Sequence, residues 1–183
     1  MLCPCTLSSK LNIPRCIKMA LIHDMAESLV GDITPVDGVL KAEKNRRESE
    51  TMDYICQDLL GKVDGGLSGR ELREVWQEYE DGQTLEAQFV KDVDKIELVL
   101  QMVEYEKQAD GKLDIGEFTW VAKRIELPEV KAWCDQLLEE RAEFWKEKGV
   151  VPSDWQTLSR KRVDEQKEYY DDGKPAANGH ASK

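Results

Sequence analysis

Between residues 84 and 107 the apolar side chains Leu85, Phe89, Val93, Ile96, Leu100 and Val103 recur at intervals of three and four. That spacing lines one side of an α-helix, and a strand, whose side chains change face at every residue, cannot use it. So long a stripe must be covered, and the rest of the chain offers helices to cover it. Residues 15–30 are apolar on most sides, with Pro14 at their start and Gly31 at their end. Residues 39–60 carry Met52, Ile55, Cys56, Leu59 and Leu60 on one face, and residues 70–80 carry Leu72, Val75, Trp76 and Tyr79, which read as core. A last amphipathic helix over 127–148 presents Val130, Trp133, Leu137, Leu138 and Trp145. Loops at 33–38, 61–69 and 110–116 are marked by glycine, proline and aspartate, and no segment alternates as a strand would. The expected fold is all-α, a helical bundle.

With 183 residues the chain suits one core plus a tail. The bundle is expected over residues 11–148. Residues 1–10 read as a disordered start, and the polar residues 149–183 as a mostly disordered tail in which Trp155 and Leu158 are the side chains able to dock. The 37 acidic residues outnumber 26 basic ones, for a net charge of -11, and the tail is balanced, so the excess lies on the bundle. An acidic surface repels nucleic-acid polymers, though not a small nucleotide entering a cation-containing pocket. Five scattered cysteines, an odd number, fit free thiols in a reducing compartment, the cytoplasm or the nucleus. No apolar run approaches the roughly 18 residues that span a bilayer, so no membrane role is expected.

One segment is chemically dense. His23-Asp24-Met25-Ala26-Glu27, followed by Val30-Gly31-Asp32, puts a histidine and three carboxylates into ten residues of an otherwise apolar helix. On a helical repeat His23 and Glu27 stand one turn apart, and Asp24 and Glu27 are neighbours at three residues' separation. An unpaired charge in such a helix costs several kcal/mol, and a divalent cation held by imidazole nitrogen and carboxylate oxygen offsets that cost. For a His-Asp pair alone, a helix-end ion pair around a satisfied core histidine is the ordinary explanation. Glu27 and Asp32 beside it shift the balance toward a cation site. The loop at 33–38 follows directly and can line the same cavity. Farther along, Asp92 and Asp94 are polar members of the long helix, and periodicity places Asp92 nearer its apolar stripe. The charged residues 41–50 read as a solvated face from which Lys41 or Lys44 could reach a phosphate.

The residues 16–27, the run Val30-Gly31-Asp32-Ile33-Thr34-Pro35, Phe89-Val90-Lys91 through Asp94-Lys95, and Glu104-Tyr105-Glu106 together resemble the HD-domain metal-dependent phosphohydrolases, in their 5′-deoxynucleotidase branch. The similarity runs over residues 11–147, with residues 1–10 unlike the family, and the HDxxExxxGDxxP signature is far more specific than the HD pair. The resemblance implies that His23 and Asp24 bind a first divalent ion (Mn2+, Co2+ or Mg2+) with Asp94, Asp92 remaining the alternative. It implies that Glu27, Asp32 and the Ile33 backbone serve a second ion or the catalytic water, and that Asp32, Ile33, Thr34 and Pro35 touch a deoxynucleoside 5′-monophosphate. It also implies a homodimer. The family takes a further histidine from a helix upstream of this segment, with an arginine–tryptophan element before it, and Met1 to Ile22 contain neither histidine nor tryptophan. The expectation is a bundle lacking its first helices, with an apolar groove exposed where they would lie. A catalytically impaired form acting as an interaction protein is the alternative that follows.

Overall fold

The computed structural model describes residues 3–34 and 37–157. All regular structure among these residues is helical. The α-helices are α1 (Cys5–Ser8), α2 (Ile13–Ile22), α3 (Glu27–Val30), α4 (Lys41–Asp53), α5 (Leu67–Asp81), α6 (Leu85–Gln108) and α7 (Pro128–Glu147). A π-helical turn, Tyr54–Leu59, continues α4, and 3-10 turns occupy Val63–Gly66, Gly116–Arg124 and Trp155–Thr157. Helix α6 is the spine, since α2, α5, α7 and the Gly116–Arg124 segment all pack on it. It begins where the sequence predicts: the Thr84 hydroxyl accepts the Ala87 N–H and satisfies one of the donors that a helix start leaves unpaired.

Partners on several sides widen the buried arc of α6 beyond the sequence stripe. Phe89 and Val103 are buried and Leu85, Val93 and Ile96 pack at the edge of the core, but Leu100 is exposed, while Val99, Met102, Asp92 and Glu106 are inside. Helix α5 starts at Leu67 and not at residue 70, taking Gly69 into its first turn. There α5 and the π turn come so close that a Cβ on Gly69 would lie 2.1 Å from the Cys56 carbonyl oxygen, and only glycine fits.

The start of the chain differs from expectation, while Trp155 at the other end docks as the sequence allows. Residues 3–10 are not a disordered start: the Pro4 carbonyl accepts the Leu7 and Ser8 N–H groups to open α1, and Leu7 is buried in the core. At the other end Ser153 binds Asp114 through its backbone N–H at 2.6 Å and its hydroxyl at 2.7 Å. Trp155 then docks beside Trp120, with the Lys123 ammonium 3.4 Å from its ring centre. Leu158 and the remainder of the tail lie outside the described residues. On the outer side of α2, Ile17 and Leu21 are exposed one turn apart, as is Leu29 on α3.

Candidate functional site

The segment from His23 to Val30 does not continue α2 as one helix over residues 15–30. The His23 N–H still reaches back four residues to Met19, but the N–H groups of Met25, Glu27, Ser28 and Leu29 each reach back only three, to Ile22, Asp24, Met25 and Ala26. The chain is wound tighter there, and side chains three apart eclipse one another, which brings Asp24 and Glu27 to one side. The tightening leaves the His23 carbonyl without the Glu27 N–H that a regular α-helix would supply. The Trp76 indole Nε1–H donates to it instead, at 3.1 Å. From the next turn of α5, the Tyr79 ring lies 4.9 Å from the imidazole. Trp76 and Tyr79, legible in the sequence as core stripe alone, are therefore the supports on which the histidine rests. The only hint available beforehand was that both carry a polar group that must find a partner when buried.

His23 Nδ1 lies 2.9 Å from the Ala20 carbonyl oxygen, an atom that can only accept, so Nδ1 carries the proton. In the neutral ring Nε2 is then left with a lone pair. It is buried and makes no aligned hydrogen bond, yet Asp24 Oδ2 lies 3.0 Å away and Asp94 Oδ1 3.6 Å. A lone pair facing two carboxylates is repulsive unless a positive charge enters between them. Burial alone pulls the imidazole down, but the close approach and charge of Asp24 and then Asp94 outweigh it and lift the ring to about 10. A divalent ion meets the same need. Ligands about 2.0–2.1 Å from one ion sit roughly 3.0–3.4 Å from one another, close to the separations seen here. Among the described residues no three such donors already close on one point, so Asp94 would have to draw in.

Periodicity favours Asp92 as the inward carboxylate, and Asp92 is indeed the buried one, but it does not face the histidine. Its oxygens accept the backbone N–H groups of Glu126 and Leu127 at 2.9 and 2.8 Å and the Lys95 ammonium at 2.9 Å, holding the start of α7 against α6. Asp94, half-exposed, is the residue brought to His23.

A second cluster lies beside the first. Gly31, at φ +78°, ends α3 in a conformation that favours glycine, and the chain turns so that Ile33 is buried and Asp32 exposed. The Lys44 ammonium, from α4, lies 3.1 Å from the Ile33 carbonyl oxygen, 3.6 Å from Glu27 Oε1 and 3.4 Å from Glu48 Oε1. Glu48 is buried, so the charged start of α4 is not merely a solvated face. Burial, then the charges of Asp24 and Asp32, hold the Glu27 carboxyl above its ordinary range, with Lys44 opposing. Thr34 is tied into its own loop, its N–H and hydroxyl both donating to Asp37 Oδ2 at 2.7 and 2.6 Å. Pro35 lies outside the described residues.

This arrangement can be set beside known proteins. A family model described as HD domain matches residues 1–133, a span that takes in residues 1–10, which lie outside the likeness expected from the sequence. A 5′-deoxynucleotidase of Schizosaccharomyces pombe is 49% identical over 135 residues, 74% of this chain and 68% of that protein. The 5′-deoxynucleotidase HDDC2 of Homo sapiens is 42% identical over 136 residues, 73% of this chain and 63% of that one. A solved structure of the HD domain-containing protein YGK1 is similar with a TM-score of 0.63 and 37% identity, covering 76% of this chain and 70% of that one. The Saccharomyces cerevisiae protein named 5′-deoxynucleotidase YGK1 is covered over 60% of its length, so this chain spans about three-fifths to two-thirds of these curated relatives. With nearly three-quarters of its length matching the family model, and a helical bundle built around the histidine–aspartate pair, this chain belongs to the HD-domain family.

Proposed function

We propose that this chain is a metal-dependent phosphohydrolase that releases phosphate from deoxynucleoside 5′-monophosphates. The observation that carries the reading is His23 Nε2, a buried ring nitrogen set between two carboxylates, a place that calls for a positive charge, supplied by a proton or by a divalent ion. His23, Asp24 and Asp94 would hold one divalent ion, Mn2+, Co2+ or Mg2+; Glu27, Asp32 and the Ile33 carbonyl would hold a second. Bound there, such an ion polarises a phosphoryl oxygen and lowers the pKa of a water that attacks it.

The chain's own side chains do the remainder. Glu27, whose carboxyl is held by burial above its ordinary range in the ion-free protein, accepts the proton of the attacking water and returns it to the departing 5′ oxygen. Asp32, at the mouth of the cluster, orients that water. Asp32, Ile33 and Thr34, the last pinned by its Asp37 contacts, form the side against which the nucleoside rests, and by the resemblance Pro35 touches it too. A net charge of -11 favours a small nucleotide over a polymer, because only the cation cluster offsets the repulsion of phosphate. The relatives named 5′-deoxynucleotidase support the substrate class. By the resemblance the protein works as a homodimer, and we place it in the cytoplasm, where its five free thiols stay reduced. No helix of the described residues is long and apolar enough to cross a membrane.

Phosphate release from deoxyadenylate or deoxycytidylate in the presence of Mn2+ tests this directly. Release that disappears in His23→Ala is expected; a folded, Mn2+-loaded chain that releases no phosphate would contradict it.

A further inference from the structure

The Lys44 ammonium lies where a cation belongs. Of three oxygens close to it, two, Glu27 Oε1 at 3.6 Å and the Ile33 carbonyl at 3.1 Å, are the atoms assigned above to a second divalent ion. The third, Glu48 Oε1 at 3.4 Å, lies one turn farther along α4 and belongs to no part of that assignment. The lysine side chain is 22% exposed and those of Glu27 and Glu48 are 23% and 9%, so the three charges are largely withdrawn from water and their separations matter. Without the ammonium, burial would leave both carboxylates poorly compensated.

We infer that Lys44 is a displaceable counter-cation, occupying the second cation position while it is empty and yielding it only when a divalent ion enters. This rests on the reading of Glu27, Asp32 and Ile33 as that position. An ammonium and a divalent ion cannot share the oxygens, because their mutual repulsion at such range exceeds what either gains. The geometry provides for the exchange. A lysine side chain has four rotatable carbons, and when it leaves Glu27 and Ile33 it keeps its ion pair with Glu48, four residues away on its own helix. In that position its charge faces the cluster from outside and is available to the phosphate of a bound nucleotide. The device holds the acidic pair together in the ion-free protein, and it sets a threshold of ion concentration below which the second position stays closed.

The test is Mn2+ titration of the full chain, with free Mn2+ followed by electron paramagnetic resonance. In the parent protein Glu27→Gln should remove the weaker equivalent of bound Mn2+ and leave the tighter one; if it removes none, the reading of the second position fails whatever Lys44 does. Lys44→Met, close in volume and uncharged, should tighten the weaker equivalent on the order of tenfold and leave the tighter one unchanged. Lys44→Arg, which keeps the charge, should bind within about threefold of the parent. A weaker equivalent that is unchanged or loosened in Lys44→Met, while Glu27→Gln still abolishes it, would overturn the inference. Should Lys44→Met prove unstable without metal, its melting temperature must rise more on Mn2+ addition than the parent's does; an equal or smaller rise would overturn the inference as well.

Discussion

Helix α6 carries acids into two very different surroundings. Near its end Glu106 is fully buried and accepts from Arg141 Nε at 2.8 Å and Nη2 at 3.0 Å, Trp145 Nε1 at 2.7 Å and the Ile115 N–H at 3.0 Å. Near its middle Asp94, together with Asp24, faces one imidazole nitrogen that makes no aligned hydrogen bond to either carboxylate. A buried charge whose every lone pair is met belongs to the structure, whereas charges of one sign gathered around an unmet atom are held ready for something that is not protein. The contrast also separates neighbours: Asp92, two residues before Asp94, has the saturated pattern of Glu106.

If that distinction is right, the two regions should break differently. The largest stability loss is expected for Arg141→Met, which leaves Glu106 buried and uncompensated at a cost of about 3–5 kcal/mol by urea denaturation, with Mn2+ binding per folded molecule unchanged. At the open cluster, Mn2+ at a hundred times its dissociation constant should stabilise the protein by about 2.7 kcal/mol, an increment that His23→Ala should lose. Asp92→Asn should cost about 1–3 kcal/mol, since one amide oxygen must replace a carboxylate serving two backbone donors and an ammonium; Asp94→Asn should stay within about 0.5 kcal/mol of the parent. Trp76→Phe, which keeps the packing but removes the donor to the His23 carbonyl, should cost about 1 kcal/mol. Its sharper effect should be on Mn2+ affinity, which loss of an orienting partner commonly lowers by 10- to 100-fold.

Much of this was legible in the chain. The three-and-four spacing of residues 84–107 gave the spine, and the absence of alternation gave the all-α class. The dense group from His23 to Asp32 pointed to the cluster. Periodicity could not supply the rotation of a helix with neighbours on several sides: it pointed to Leu100 as buried, and it placed Asp92 inward correctly without telling that Asp92 serves the start of α7 while Asp94 meets His23. Nor could it reveal the tightened turn after Ile22, because that turn depends on an indole from α5, 53 residues away, taking up the freed carbonyl. Lys44 was visible, with Lys41, as a charge able to reach a phosphate from a solvated face, and not as the partner of Glu27 and Glu48. Its burial arises from the fold of the Ile33 loop against α4, which local sequence does not encode.

The central claim, that the open acid cluster and not the saturated one holds a divalent ion, is tested most directly by counting Mn2+ bound to Asp94→Asn and Asp92→Asn. The account predicts that Asp94→Asn keeps the parent's melting temperature and loses the tighter equivalent. It predicts that Asp92→Asn melts earlier and retains that equivalent in its folded fraction. Full Mn2+ binding by a folded Asp94→Asn, or its loss in Asp92→Asn at undiminished stability, would contradict it.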